Sequence, residues 1–150
     1  MTHPQLGQAP TTPPTTPPPV TACRFCGCVP AVPVTFRGHQ GFLVVMRFLS
    51  MPGPFCRDCG LATFRAMTSR TLIQGWYSFV SLFAAPLTVL INLSRRNRVA
   101  SLPAPQPNPY GPSRPPMDPG PRLLHRPMTI IGLAIPIGAV AFITIMTLTH

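Results

Sequence analysis

Two Cys-x-x-Cys-Gly motifs constrain this chain more than any other feature of its sequence. The first runs from Cys23 to Cys26, and the second runs from Cys56 to Cys59. Each motif supplies two sulfur ligands from one tight turn, and the glycine after it lets the backbone leave a metal without a side-chain clash. The spacing therefore predicts one tetrahedral site with four thiolate ligands, the set typical of structural zinc.

The residues between the two motifs predict a β-hairpin. Residues 32–36 and 42–49 are rich in β-branched and large apolar side chains, and the Arg-Gly-His-Gln-Gly stretch at 37–41 has the composition of a turn. The Met-Pro-Gly-Pro stretch at 51–54 is expected to end the second run. The Leu and Met residues of that run, at 42–49, also allow a helix in place of a strand. Two cysteine corners joined by a hairpin make a zinc ribbon, predicted here over residues 23–68.

This module is too small to depend on burial alone. The chain has 150 residues and 23 prolines, and most of the prolines fall in two blocks that cannot build a core. A unit of roughly 45 residues seldom folds without a metal or disulfides. We therefore expect the ribbon to unfold without its Zn²⁺.

The five cysteines leave two other interpretations open. Disulfides of an exported protein are disfavoured by the odd number of cysteines and by the lack of an apolar run over residues 1–20. A redox-active dithiol is the main rival to zinc. Cys28 is too close to Cys26 for the two to form a Cys-x-x-Cys pair, so we expect Cys28 to be a spectator thiol that binds no metal. The alternative is that Cys28 replaces Cys26 as a ligand. His39 is expected to be exposed in the hairpin loop rather than to bind the metal.

The strongly positive charge of the chain limits the classes of partner that it is expected to bind. All 12 basic residues are arginine, only Asp58 and Asp118 oppose them, and the net charge is +10. Nucleic acid and an anionic membrane surface both attract such a chain. Two apolar segments favour the membrane. Nucleic acid is the alternative, in which arginines contact phosphate while Phe25, Phe36 and Phe55 stack on bases.

Residues 69–94 are predicted to form an apolar helix. No charged residue lies between Thr71 and Leu93, a length that can cross a hydrocarbon core, and Pro86 is expected to bend or break the helix. Three interpretations remain: the helix spans the bilayer, lies in or re-enters the interface, or packs on the ribbon as a soluble helix. Arginines flank both ends, so the positive-inside rule favours a helix that does not cross. Small and polar residues recur at steps of three and four along one face: Gln74, Ser78, Ser81, Ala85, Thr88 and Asn92.

The other segments complete the predicted domain plan. Residues 1–22 are a Pro/Thr-rich tail expected to be disordered, and residues 95–127 are an Arg/Pro-rich, extended linker. Residues 128–149 carry no charge and predict a transmembrane helix, in which Pro136 is tolerable. Every arginine precedes this helix, which predicts a ribbon on the cytoplasmic side of the plasma membrane. The expected partners are anionic lipids and an unidentified protein.

Five local phrases stand out in the sequence: Cys23-Arg-Phe-Cys-Gly, Arg37-Gly-His-Gln-Gly, Pro54-Phe-Cys-Arg-Asp-Cys-Gly, Thr71-Leu-Ile-Gln-Gly-Trp and Arg114-Pro-Pro-Met-Asp-Pro-Gly-Pro. Together they resemble a group of actinobacterial membrane-anchored zinc-ribbon proteins of unknown function. The resemblance covers most of residues 22–135 and implies a zinc ribbon followed by membrane segments.

The sequence as a whole predicts a small zinc ribbon plus α-helical membrane segments, with much of the rest disordered. Enzymatic activity is not expected, because the chain has no glutamate and no phosphate-binding loop, and four cysteines leave zinc no open position for water. The expected function is that of a binding or adaptor module at the cytoplasmic membrane face, with structural zinc. The alternatives are a membrane-tethered nucleic-acid-binding ribbon and a thiol redox sensor.

Overall fold

The computed structural model describes residues 20–42, 45–78 and 80–149, so the tail predicted at 1–22 lies almost wholly outside the described residues. A 3₁₀ turn at Leu123–His125 precedes the last helix. The main elements are β1 (Val32–Phe42), β2 (Val45–Phe55), α1 (Arg57–Gln74), α2 (Ser81–Ala100) and α3 (Pro127–Thr149).

The two strands form the predicted antiparallel hairpin, but with longer arms than the sequence suggested. The stretch at 37–41, predicted as a turn, continues β1, and His39 pairs with Phe48 across the hairpin. The stretch at 51–54, predicted to end the second strand, belongs to β2. Its two prolines are tolerated because the backbone nitrogens at these positions point away from β1. The hydrogen bonds between the strands therefore need no N–H group there.

Side chains from the helices close the free edge of β1. The Arg37 backbone N–H donates to Asn92 Oδ1 at 2.9 Å, and the Arg37 carbonyl accepts from Asn92 Nδ2 at 2.6 Å. Two residues further on, the His39 N–H donates to Thr71 Oγ1 at 3.0 Å. An unpaired strand edge would otherwise expose these groups for pairing with another chain. The turn-like stretch is therefore a strand because distant helices satisfy its backbone.

The core lies where the hairpin meets α1, against which α2 and α3 also pack. Phe36 and Phe55 are fully buried with ring centroids 5.6 Å apart, and Phe64 of α1 packs 6.2 Å from Phe36. Val99 of α2 joins this cluster and sits so close to Gly60 that a Cβ there would be only 2.9 Å from Val99 Cγ1. The core thus lies directly beneath the second cysteine motif.

The interval 69–94, expected to be one apolar helix, is divided between two helices. α1 ends at Gln74 with Gly75 as its C-cap, and α2 begins at Ser81 and runs on to Ala100, beyond the predicted boundary. The two helices are antiparallel, since Gly75 lies against Ala85 while Gly60 lies against Val99. Of the bend or break predicted at Pro86, the break does not occur: Pro86 lies inside α2, and the helix continues to Ala100 although the proline removes one N–H donor.

The predicted polar stripe faces the inside of the protein. The buried residues of α2 are Ser81, Ala85, Thr88, Asn92 and Val99. Over residues 81–93, its exposed large side chains are the apolar Leu82, Phe83, Leu87, Leu90 and Leu93. This order is the reverse of that expected for a helix on a water-facing surface, which turns its apolar residues inward.

α3 is the one helix in the described residues that is long and apolar enough to cross a membrane. It runs parallel to α1, because Thr129 Oγ1 bonds Ser69 Oγ at 3.2 Å and Gly132 lies against the Leu72 carbonyl. Only its first turns contribute buried residues, and its later apolar side chains are exposed.

Candidate metal centre

The first cysteine motif forms a tight turn at the entrance to the hairpin. The Gly27 N–H donates to the Cys23 carbonyl at 2.8 Å, and the Cys23 N–H donates to the Cys28 carbonyl at 2.9 Å. Gly27 adopts a φ of 73°, a left-handed conformation that other residues rarely take. The glycine therefore has the role that the sequence predicted for it.

The second motif joins β2 to α1. Cys56 is the N-cap residue of α1, and the Gly60 N–H donates to the Cys56 carbonyl at 2.9 Å. Cys59 thus projects from the first turn of the helix. Gly60 is helical, so its small size serves the close approach of Val99 rather than an exit of the backbone from the metal.

The fold brings the four predicted ligands together. The Sγ atoms of Cys23, Cys26, Cys56 and Cys59 all lie within 4.8 Å of one another, and all four residues are buried. The Cys26 and Cys56 sulfurs are 3.6 Å apart. A tetrahedral site with metal–sulfur bonds of about 2.3 Å requires sulfur–sulfur separations of about 3.8 Å. The cluster can therefore hold one metal ion with only small adjustments.

Burial and hydrogen bonding act against each other on these thiols. Burial raises the pKa of Cys56, and it raises the pKa of Cys59 to about 12. Burial also acts on Cys23, but backbone N–H groups of Cys26, Cys56 and Phe25 outweigh it and lower the pKa of Cys23 to about 7. The cluster cannot carry several thiolates at once without a cation, which is the charge that a bound metal supplies.

The Pro-rich segment before α3 packs against the cysteine loops. Val29 and Gln106 exchange two backbone hydrogen bonds of 2.9 and 2.7 Å, and the Arg114 N–H donates to the Cys26 carbonyl at 2.8 Å. The Met117 N–H donates to Cys59 Sγ at 3.3 Å. The segment predicted as an extended linker is therefore part of the site. Its local signal was the non-proline residues among the prolines, because only these carry the N–H groups that reach the cysteines.

Cys28 is buried, but it lies outside the cluster of four. Its Sγ contacts the Arg114 carbonyl at 3.5 Å. Burial raises the pKa of the Cys28 thiol, and the neighbouring Cys26 adds to the effect. This placement agrees with the spectator interpretation rather than with replacement of Cys26.

The expectation of an exposed His39 was wrong. Its side chain is fully buried, with Nε2 at 2.9 Å from Ser81 Oγ and the ring 4.8 Å from that of Phe48. Within the described residues its Nδ1 has no hydrogen-bond partner. Burial lowers the pKa of His39. The error follows from the wrong turn position: His39 lies within β1, where Ser81 at the start of α2 and Phe48 of β2 contact its side chain.

Two of the phenylalanines named for the nucleic-acid alternative are buried, and the arginines inside the cysteine motifs bond to groups other than the sulfurs. Phe36 and Phe55 are core residues with no exposed surface, so they are not available to stack on nucleic-acid bases. The two arginines inside the motifs bond elsewhere: Arg57 pairs with Asp58 at 2.9 Å, and Arg24 donates to the Pro52 carbonyl at the outer edge of β2. Among the described residues, neither guanidinium bonds a cysteine sulfur.

Comparison with protein-family models, curated proteins and solved structures finds no match to this chain. The resemblance noted from the sequence therefore stays a prediction, and the functional argument depends on the geometry of the chain itself.

Proposed function

We propose that this protein is a membrane-anchored zinc-ribbon protein that serves as a binding module at the cytoplasmic face of the membrane. The observation that carries the proposal is the cluster of four buried cysteine sulfurs within 4.8 Å of one another. It is joined to a helix, α3, that is long and apolar enough to cross a bilayer. One small fold thus combines a closed metal site with a helix that can anchor it in a membrane.

Zinc is the metal that suits this donor set. Four thiolates in a tetrahedral arrangement form a closed structural site, with no position for a water or a substrate. The site joins the entrance of the hairpin to the start of α1, so the metal would tie together segments distant in sequence. Zinc binding in such modules is worth roughly 10–16 kcal/mol, which exceeds the net stability of most small domains. The role of the metal is therefore structural.

The anchoring proposal is supported by the surface of α2 as well as by α3. Over residues 81–93, the outer side of α2 presents leucines and Phe83, whose side chain is 76% exposed, while Ser81, Thr88 and Asn92 are buried against the protein. Such an inverted pattern suits a helix that contacts lipid. Since α2 returns antiparallel to α1, we place this helix pair against the bilayer without a second crossing. Arg122 and Arg126 directly precede α3, so the positive-inside rule puts the cysteine module in the cytoplasm.

The adaptor role is supported by the closed site and by the charge around it. Exposed arginines such as Arg98 and Arg114 occupy the end of the fold that contains the cysteines. A basic surface held close to a membrane suits an acidic protein partner or anionic headgroups. Substrate turnover has no support from a site whose metal is fully coordinated.

The deciding experiment is zinc stoichiometry on the full chain purified in detergent. We expect one zinc per chain in the wild type and in Cys28→Ser, and loss of both zinc and the folded state in Cys56→Ser. Cys28→Ser is the matched control because it removes a buried thiol outside the cluster. A zinc-free wild type with a reversible Cys26–Cys56 disulfide would overturn the proposal and favour thiol redox chemistry. Extraction of the protein from membranes by alkali would contradict the anchor.

A further inference from the structure

A cationic cavity of about 280 Å³ lies at the foot of α3, between α1, α2 and the 3₁₀ turn. Three arginines from three different segments line it: Arg65 of α1, Arg96 of α2 and Arg122, the residue before the turn. His125 completes the polar lining. The sequence separates these residues by up to about 60 positions, so only the fold brings the charges together.

The guanidinium groups are held in place but not neutralised. Arg65 donates to the Gly120 carbonyl, and the Arg96 guanidinium lies over the Phe64 ring at 6.0 Å from its centroid. Burial lowers the pKa of Arg65, and the charges of Arg126, Arg96 and Arg122 lower it further. This crowding of like charge costs free energy unless an anion binds among them.

Few carboxylate groups can balance the charge of this cavity. Asp58 pairs with Arg57. Asp118 accepts the Gly120 N–H at 2.8 Å, and its charge raises the pKa of Arg65, so it offsets only part of the repulsion among the arginines. No other Asp or Glu is present in the sequence. One aspartate thus faces the charges of several arginines, so the cavity keeps a net positive charge that an anion from outside the protein can balance.

The position of the cavity indicates which anion that is. His125 lies two residues before Pro127, the first residue of α3, so the cavity sits at the level where the membrane helix begins. Leu93 and Leu124 line the same cavity, and the Leu124 side chain is 71% exposed. Charged and apolar groups thus meet where headgroups and acyl chains meet in a bilayer.

We propose that this cavity binds the headgroup phosphate of one anionic phospholipid. Arg96 and Arg122 donate to the phosphate oxygens, Arg65 adds its positive charge, and the acyl chains lie along Leu93 and Leu124. Planar guanidinium groups suit a phosphate because each can donate two parallel hydrogen bonds. The inference rests on the proposed function, because it takes α3 as the membrane anchor.

The test titrates the detergent-purified full chain with phosphatidylglycerol and with phosphatidylcholine, and counts bound lipid by native mass spectrometry. We expect one phosphatidylglycerol retained by the wild type, and an apparent affinity roughly tenfold or more weaker in the Arg96→Gln/Arg122→Gln variant. The matched control is Arg37→Gln/Arg47→Gln, which removes the same charge from exposed residues outside the cavity. Arg122→Gln alone keeps the Arg96–Phe64 contact and should show an intermediate loss.

Three outcomes would overturn the inference. Equal phosphatidylglycerol affinity in all variants would show that the cavity is not the site, and equal affinity for phosphatidylcholine would show that net charge does not decide binding. Displacement of the lipid by soluble glycerol phosphate at matched concentration would indicate a site for free phosphate. Zinc content and membrane integration are measured on the same samples, so a failure of the lipid site stays distinct from a failure of the proposed function.

Discussion

The side-chain amide of Asn92 pairs with the backbone of Arg37 through two hydrogen bonds, as a neighbouring strand would. The Arg37 N–H donates to Oδ1 at 2.9 Å, and Nδ2 donates to the Arg37 carbonyl at 2.6 Å. Asn92 is fully buried, so this α2 residue replaces water and a third strand at the edge of β1. The contact explains why a polar amide is fully buried on the inner face of α2.

Replacement of Asn92 by alanine should destabilise the fold. The change leaves a backbone N–H and a carbonyl of β1 without partners, and each such loss costs about 1–3 kcal/mol, so we expect a decrease of about 2–4 kcal/mol in the free energy of unfolding. Asn97→Ala, at an exposed position of the same helix, should stay within about 0.5 kcal/mol of the wild type. Denaturant unfolding in detergent measures both. Equal stabilities would show that the strand edge does not need this amide.

The contact between Met117 and Cys59 should tune metal affinity. Met117→Pro removes the N–H that donates to Cys59 Sγ, whereas Met117→Ala keeps it and changes only an exposed side chain. Because hydrogen bonds to ligand atoms orient and stabilise them, we expect a loss in zinc affinity of about 10–100-fold for proline and little change for alanine. Competition with a coloured chelator gives the two constants. If both variants bound zinc as the wild type does, the Pro-rich segment would have no part in the metal site.

Burial of His39 should make stability depend on pH. Burial lowers the pKa of His39 in the folded state below its ordinary value of 6.5, so the unfolded chain binds this proton more readily. The contribution of His39 is therefore complete above about pH 6.5 and is lost as the pH falls from there towards the folded-state pKa.

The test compares His39→Gln with His125→Gln, which changes an exposed histidine. We expect the slope of unfolding free energy against pH to become shallower below pH 6.5 only in the first variant. Metal release in acid affects both variants alike and so cancels in the comparison. A slope unchanged by His39→Gln would contradict a neutral, buried imidazole.

The outer face of α2 should tolerate a charge poorly if it lies in lipid. Phe83→Arg places a guanidinium among exposed apolar side chains, and we expect it to lower stability in lipid nanodiscs by about 1–3 kcal/mol. Asn97→Arg puts the same charge on the arginine-rich end of α2 and should be nearly neutral. Thermal unfolding of both variants in nanodiscs separates the cases. Similar unfolding temperatures for the two variants would place this face in water.

The site was more predictable than the fold around it. Two cysteines three residues apart share one tight turn whatever the rest of the chain does, so the pairs could be assigned from spacing alone. A hairpin separates the second pair from the first. The sequence also predicted this hairpin, but the prediction placed its turn too early in the chain. The packing of Arg114 and Met117 on the cysteine loops had no comparable signal, because a Pro-rich segment looks extended whether it is free or bound to a surface.

By itself, the sequence determined the features that depend on local chemistry. The grouping of the four cysteine sulfurs follows from their spacing, and the apolarity of α3 follows from composition. Only the tertiary structure decided that the side chains of Asn92 and Thr71 bond the backbone of β1. It also decided that His39 is buried. Finally, it brought three distant arginines into one cavity: Arg65, Arg96 and Arg122. Each of these joins residues far apart along the chain, and the hydrogen bonds and packing that hold them in place form only when the chain folds.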